Sequence, residues 1–475
     1  MSRLFHSSMY VLVVALFLAI IGDTLLTTGL FMDGLIYSNV ANNMAHGIGS
    51  FWHPSYTLTQ FPEFYEHPPL AMGLLSLFYR IFGDGIWVVR FYSMFMTVLT
   101  AWLLLKLWKQ LGFEMRMGWL PLLMWTLVPA VTLNSHENML ECTMAVFVVE
   151  AVLLILRGGT WRMLLAGVML VAAFLTKGFT GLYPLALPFI LCLTRPRDNA
   201  FTRSRAHAIH VAGYNTIMIL IGMVVSFGLV CLLPGAWDFI TNYFKIQVVG
   251  TINEPVVTTR WWIVRKFFEE TLILWALVIV GFVLELRRCK SDPMAVPHLP
   301  QLPLLLLTLC GVLPIMVSLK QRDFYILTVY PFFAVAVAAG LNDLIAKWCS
   351  KVNKLACGIV VACAVALSVF AVVFNAVHYD KPGRDVALQE DMKLVVPYLQ
   401  KDELVSVGQT DYDHYRLHGY YWRSAHVSLT NEIGNKHLLL GDETQFKALQ
   451  LDTLYVPIEL PTQQYKLYEL VNSDL

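Results

Sequence analysis

Asp33 stands just past a long apolar run, residues 9–31, at the level where a bilayer would give way to water. A carboxylate held there can act as a general base, or stabilise charge developing at an acceptor oxygen, on a headgroup whose tail stays in lipid. The plainer alternative is a solvated helix-end carboxylate. Glu141, in Asn138-Met139-Leu140-Glu141-Cys142-Thr143, lies at the outer end of another apolar segment. An acid inside such a segment is costly unless it faces a polar cavity or a partner, although a helix N-terminus would also favour it. Glu66 and His67 precede Pro68-Pro69-Leu70, and the prolines suit a rigid lead-in to a helix. The pair could meet a metal or a phosphate, but one Glu and one His make an incomplete metal site. Lys177, Lys320 and Arg322 are natural counter-ions for a phosphate, Arg as a planar fork and Lys as a compact charge. Snorkelling toward headgroups is the alternative for each. His136 and Glu137 read as solvated loop residues.

The elements that must position these groups are membrane spans. Hydrophobic residues make up 57% of the 475-residue chain and charged residues 14%, which excludes an ordinary soluble domain. Apolar runs that approach or exceed the length needed to cross a bilayer occur near 9–31, 86–108, 116–133, 139–156, 162–175, 178–194, 211–234, 268–286, 302–318, 324–346 and 355–377. The start, Met1-Ser2-Arg3, lacks the small-residue cleavage site of a signal peptide, so the first run is expected to be retained. The net charge of +1 carries little meaning, because the charges are segregated.

Basic residues cluster in five loops: Lys106, Lys109 and Arg116; Arg157 and Arg162; Arg195, Arg197, Arg203 and Arg205; Arg287, Arg288 and Lys290; Lys347, Lys351 and Lys354. With eleven spans all five share a side with Arg3, and by the positive-inside rule that side is the cytoplasm. The opposite side then carries the 32–85 loop, residues 134–138, the turn at Thr176-Lys177-Gly178, the 235–267 loop and residues 320–323. Lys177, Lys245, Arg260, Arg265, Lys320 and Arg322 lie on that side, against the topological bias. An anionic ligand on the outer face would explain them.

After residue 378 the composition turns polar and acidic. Residues 385–400 have the pattern of an amphipathic helix, and 404–407, 426–429 and 454–458 that of short strands. The expected domains are therefore 1–378 in the membrane, with outer loops 32–85 and 235–267, and an extracytoplasmic α/β domain over 379–475. The eight cysteines all precede residue 364 and form no CxxC, so neither a disulfide framework nor a zinc ribbon is expected.

Asp33, Glu66-His67-Pro68-Pro69-Leu70, Leu140-Glu141, Thr176-Lys177-Gly178 and Lys320-Gln321-Arg322-Asp323-Phe324-Tyr325 followed by Tyr330-Pro331 occur in the order found in a known family. Over about residues 8–345 the chain resembles the GT-C glycosyltransferases, in the branch of the protein O-mannosyltransferases and the lipid A aminoarabinose transferase. The resemblance implies an all-α polytopic membrane domain of GT-C fold, with about eleven transmembrane helices and the small α/β domain outside. It implies an enzyme of the inner, cytoplasmic membrane whose outward-facing site transfers a sugar from a polyprenyl-phosphate donor to a lipid, glycan or protein acceptor. Membrane lipids are the other expected partner, and nucleic acid is not one. Carried over by position, Asp33 is the catalytic carboxylate and Glu141 the second acid. Lys177 and Arg322 hold the donor phosphate, with Lys320 and Tyr325 beside them, and Glu66 matches a residue that helps bind zinc in the aminoarabinose transferase.

Two positions depart from the family. Gly34 stands where many members have a second acid, so a paired-acid role there is lost. The loop matching a zinc-binding histidine, Tyr243-Phe244-Lys245-Ile246-Gln247, has no histidine, and Lys245 replaces it as a candidate phosphate contact. A complete zinc site is therefore not expected. Two rival classes remain open: a lipid or glycan transporter, which would call for inverted repeats and spans broken near the midplane, and a non-catalytic scaffold, which would leave Asp33 and Arg322 without a role.

Overall fold

A computed structural model of the chain describes residues 2–194, 205–250, 255–291, 301–448 and 450–471. The expected basic-loop residues Arg195, Arg197 and Arg203, and residues 251–254 of the 235–267 loop, lie outside them. Each of the eleven apolar segments contains helix. In chain order come α1 (Ser2–Ile20), α2 (Met32–His46), α3 (Leu70–Phe82), α4 (Ile86–Gln110), α5 (Trp119–Thr126) and α6 (Pro129–Asn134). Then follow α7 (Leu140–Arg157), α8 (Thr160–Lys177), α9 (Leu187–Thr194), α10 (Arg205–Cys231) and α11 (Ala236–Tyr243). The membrane part ends with α12 (Trp262–Glu270), α13 (Leu272–Ser291), α14 (Leu302–Val312), α15 (Tyr330–Ser350) and α16 (Lys354–Val377).

Six helical stretches among the described residues are long and apolar enough to cross a bilayer, or seven if α12 and α13, bent by 65°, form one span. The shorter ones have local causes. The 116–133 run breaks between α5 and α6 because Pro129 holds Val128 in extended backbone. The first run differs from expectation: α1 starts at Ser2 and stops at Ile20, and the chain continues in turns through Gly22 and Thr27-Thr28, residues that favour helix weakly. Large apolar side chains on α10 and α16, such as Val224, Leu229, Val369 and Val373, are exposed, as lipid-facing helices require. The chain is a multi-pass membrane protein.

The chain's own contacts divide it into two compact units. The first holds Met1–Leu25, Glu66–Ala71 and Ser93–Val377. In it α7 is buried nearly all round, through Val148, Val149, Ala151, Val152 and Leu153. Helices α8 and α10 approach closely where Gly167 faces Gly222; a Cβ on either would press into the backbone of the other helix.

The second unit holds Leu26–Tyr65, Met72–Tyr92 and His378–Leu475. Its C-terminal part runs α17 (Val386–Val395), β1 (Leu404–Val407), α18 (Gln409–Tyr412), α19 (Tyr415–Ala425), β2 (Ser428–Thr430), β3 (His437–Leu440), α20 (Glu443–Ala448), β4 (Tyr455–Ile458) and β5 (Lys466–Leu470). The sheet order is β2-β1-β3-β5-β4, with β1 parallel to β2 and β3, and β5 antiparallel to β3 and β4. The expected α/β domain is present, with two strands, β3 and β5, beyond those read from sequence.

The stretch read as the 32–85 loop contains two helices, α2 and α3. Its polar residues Asn39 and Asn43 are buried and bonded rather than solvated. Asn39 donates to the Gly419 carbonyl at 2.8 Å, and Asn43 donates to the carbonyls of Ser55 and Tyr56 at 2.9 and 3.0 Å. Trp422 donates its ring N–H to Asn43 Oδ1 at 2.8 Å. The bonds to Gly419 and from Trp422 join α2 to α19.

Inside α19, His418 donates Nε2–H to the Tyr412 carbonyl at 2.8 Å, and its buried Nδ1 has no hydrogen-bond partner among the described residues. Burial accordingly lowers its pKa from 6.5 to about 4. Between those values the unfolded chain binds the extra proton, so the contribution to stability is complete above pH 6.5 and is lost as pH falls toward 4. Acidification to pH 5 is expected to cost about 2 kcal/mol. Thermal unfolding of the full-length protein at pH 7 and pH 5, with His418→Gln beside it, checks this. An equal acid loss in both proteins would assign the effect to other groups.

Candidate active site

Helices α7 and α8 form a hairpin of two 18-residue helices joined through Gly158 and Gly159. Equal lengths bring the first turn of α7 level with the last turn of α8. Glu141 sits in that first turn and Lys177 is the last residue of α8, so the acid meets a helix N-terminus and the cation a helix C-terminus. Their side chains pair at 2.5 Å, with 0% of the Glu141 side chain and 5% of the Lys177 side chain exposed. Gly178 ends α8 at φ 77°, a left-handed conformation that favours glycine, and a Cβ there would run into the Tyr243 hydroxyl.

Around this ion pair the first unit assembles other residues singled out from sequence. The Lys177 ammonium lies 5.0 Å from the ring centroids of both Phe324 and Tyr325, within cation–π range. His67 is partly buried in the segment before α3, and burial, with the charges of Lys177 and Lys320, holds its pKa well below the usual histidine value. Its imidazole is neutral near pH 7 and keeps a lone pair to accept a hydrogen bond. Glu66 is partly buried beside it in sequence.

The 318–322 segment is fixed by Gln321, a residue the sequence reading passed over. Gln321 is fully buried; its Oε1 accepts from Ile263 N–H at 2.9 Å, and its Nε2 donates to the carbonyls of Ser318 and Arg260 at 2.7 and 3.1 Å. Arg322 is extended, with φ −134° and ψ 149°. Side chains in extended chain alternate, so a buried Gln321 turns its neighbours Lys320 and Arg322 the other way. Lys320 is partly buried and Arg322 is exposed.

Asp33 is in the second unit, in the first turn of α2 rather than at the end of the first span, and is partly buried. Lys245 is exposed on the π-helical turn Phe244–Val249. His136 and Glu137 correct the sequence reading. They are buried, about 1% exposed each, with His136 Nε2 3.4 Å from Glu137 Oε1. The polar string hid this because the turn before α7 is packed: Ser93 accepts from Asn138 N–H at 2.7 Å, and Thr97 donates to the Ser135 carbonyl at 3.0 Å. Phe324, the other ring over Lys177, was signalled only by its place next to Tyr325.

Among the described residues no group of three or more His, Cys, Asp or Glu side chains is placed to hold a metal. The two lysines that act on His67 would also repel a cation there. The donor set does not fit zinc. With Lys177 and Lys320 both acting there it suits an anion instead.

The family described as dolichyl-phosphate-mannose-protein mannosyltransferase matches residues 66–226, which include Glu66, His67, Glu141 and Lys177. No curated protein matches the sequence. Among solved structures the chain is similar to ArnT from Cupriavidus metallidurans bound to undecaprenyl phosphate, with a TM-score of 0.65, 15% identity, and 97% of each chain covered. It is also similar to the archaeal oligosaccharyltransferase AglB from Archaeoglobus fulgidus in complex with an inhibitory peptide and a dolichol-phosphate. There the TM-score is 0.50 at 13% identity, covering 98% of this chain and 74% of that one. At these identities the likenesses show a shared fold.

Proposed function

We propose, for a chain that belongs to the GT-C membrane glycosyltransferases of the protein O-mannosyltransferase and aminoarabinose transferase superfamily, that it moves a sugar from a polyprenyl-phosphate donor to a lipid, glycan or protein acceptor on the outer face of the cytoplasmic membrane. The observation that carries this reading is the buried Glu141–Lys177 pair roofed by Phe324 and Tyr325, with His67 and Lys320 acting at the same place. A lone membrane-buried ion pair is costly. One set among aromatic rings and a second lysine, at the ends of two helices, suits a lipid-linked anion. Undecaprenyl phosphate, to which ArnT from Cupriavidus metallidurans is bound, is an anion of that class.

Breaking a sugar–phosphate bond builds positive charge on the sugar and negative charge on the departing phosphate. Cations placed in advance beside that phosphate stabilise the transition state more than the ground state. Lys177, held in place by Glu141, shares the positive field at the phosphate with Lys320, and Arg322 and Lys245 add to it from exposed positions. Tyr325 flanks Lys177, and neutral His67 accepts a hydrogen bond. Asp33 takes the proton of a hydroxyl acceptor; for an acceptor already ionised it orients the nucleophile or stabilises the sugar cation.

Transfer of radiolabelled sugar from a synthetic polyprenyl-phosphate donor by the purified protein tests this reading. Arg322 gives the sharpest ranking. Arg322→Ala is expected to weaken donor binding roughly tenfold to a hundredfold, the value of a charge-assisted hydrogen bond. Arg322→Lys should recover only part, because a point charge cannot reproduce the bidentate fork. Equal donor affinity in all three proteins would show that Arg322 only snorkels.

A further inference from the structure

Strands β1 and β3 run parallel and hand over to loops at the same edge of the sheet, Gly408-Gln409 after β1 and Gly441-Asp442 after β3. In α/β sheets that edge is where ligands bind. A cavity of about 810 Å³ lies there, wholly within the second unit and within the size range of small-molecule sites. Met32, next to Asp33 in sequence, also lines it.

The wall mixes polar and apolar surface, and its charge is one-sided. Carboxylates come from Asp385, Asp411, Asp413 and Asp442, against Arg416 and His414. Arg416 is already engaged, donating to Asp385 at 2.5 Å, while Tyr420 donates to the other Asp385 oxygen at 3.1 Å. An anionic ligand would meet repulsion. Gln445, Gln463 and Gln464 also line it, Gln445 donating its amide N–H to Thr410 and Gln463 to Glu390, together with Tyr415 and Tyr465.

This wall is built in advance of any ligand. Buried Asp391 accepts backbone N–H bonds from Gln463, Gln464 and Tyr465 at 2.6, 2.7 and 2.9 Å, which fixes the segment leading into β5. Asp411 accepts from Gly441 N–H at 3.0 Å and ties the two loops together. Asp385 holds φ 49°, a strained conformation for a residue other than glycine, of the kind that gathers at ligand sites.

We propose that this cavity binds saccharide, as neutral or amino-bearing sugar rings. Planar carboxylates and amides match adjacent sugar hydroxyls with paired acceptors and donors, and tyrosine rings offer flat apolar faces to the C–H side of a pyranose. A peptide would call for an exposed strand edge or a row of apolar pockets, whereas this wall is made of loops and helix starts. The binding needs neither donor nor turnover, so it stands or falls apart from the transferase reading.

The test titrates the full-length protein in detergent micelles, by calorimetry and saturation-transfer NMR, with three soluble probes: maltotriose, a glucosamine trimer and a galacturonate trimer. Saturable binding of the first two is expected, with the galacturonate trimer weaker by roughly tenfold or more. Gln445→Ala should weaken binding roughly tenfold. Thr410→Trp, at an exposed lining position, should project a bulky ring into the cavity and block binding without lowering the melting temperature. The proposal is overturned if Thr410→Trp binds the probes like the wild type, if galacturonate binds as tightly as maltotriose, or if no probe binds the folded protein at millimolar concentration. Binding of an unglycosylated Ser/Thr peptide in the same cavity, blocked by Thr410→Trp while the sugars are not, would also overturn it.

Discussion

Asp33→Asn is expected to lower the turnover of sugar transfer by roughly 10²–10⁴, the usual contribution of a positioned acid–base group. The substitution keeps size and hydrogen-bonding capacity and removes only the negative charge and the proton acceptor. In the first turn of α2 an acid also gains from the helix N-terminus, an effect of roughly 0.3–1 kcal/mol on stability. That separates the two roles. If Asp33 serves only the helix, the asparagine protein loses a little stability and transfers sugar at a near-normal rate. If it serves the reaction, kcat falls while the KM for the polyprenyl-phosphate donor stays close to wild type, because the proposed phosphate contacts are Lys320, Arg322 and the residues around Lys177. Initial rates at saturating and limiting donor separate the outcomes. Near-normal kcat in a folded Asp33→Asn protein would remove Asp33 from the mechanism.

What could be read from the chain follows the range of the physical signal. Apolar runs are local, and each of the eleven contains helix, although the first stops at Ile20. The Glu141–Lys177 pair was also within reach. Two 18-residue helices joined by a glycine pair must bring residue 141 level with residue 177, so hairpin arithmetic alone predicts the meeting. Residues 67 and 320–325 are different, because nothing in their spacing brings them to Lys177; packing of distant segments does that. Polarity misled the reading at α2 and at His136-Glu137, where side chains that looked solvated are buried against backbone or each other. Strand β3 escaped notice because His437-Leu438-Leu439-Leu440 is buried on both faces and shows no alternation. Gln321 lay between two more conspicuous cations, and only its burial reveals that it holds them in place.

Lys177→Met should destabilise the protein by about 3–5 kcal/mol, because it leaves the Glu141 carboxylate buried without its cation. Glu141→Leu should cost a similar amount by stranding the ammonium. Combining the two replaces the ion pair with apolar side chains of similar volume, a change that is often neutral or stabilising. The double variant is therefore expected to melt near the wild-type temperature although each single variant melts well below it. Transfer activity should not follow stability. If the pair holds a cation for the departing phosphate, the double variant is folded and inactive, since no apolar residue can stabilise developing negative charge. If the pair is only structural, restoring the fold restores transfer. Thermal unfolding in detergent and transfer from the polyprenyl-phosphate donor, measured on all four proteins of the cycle, decide between these roles. A folded double variant with wild-type turnover would leave Lys320 and Arg322 to carry the phosphate without Lys177.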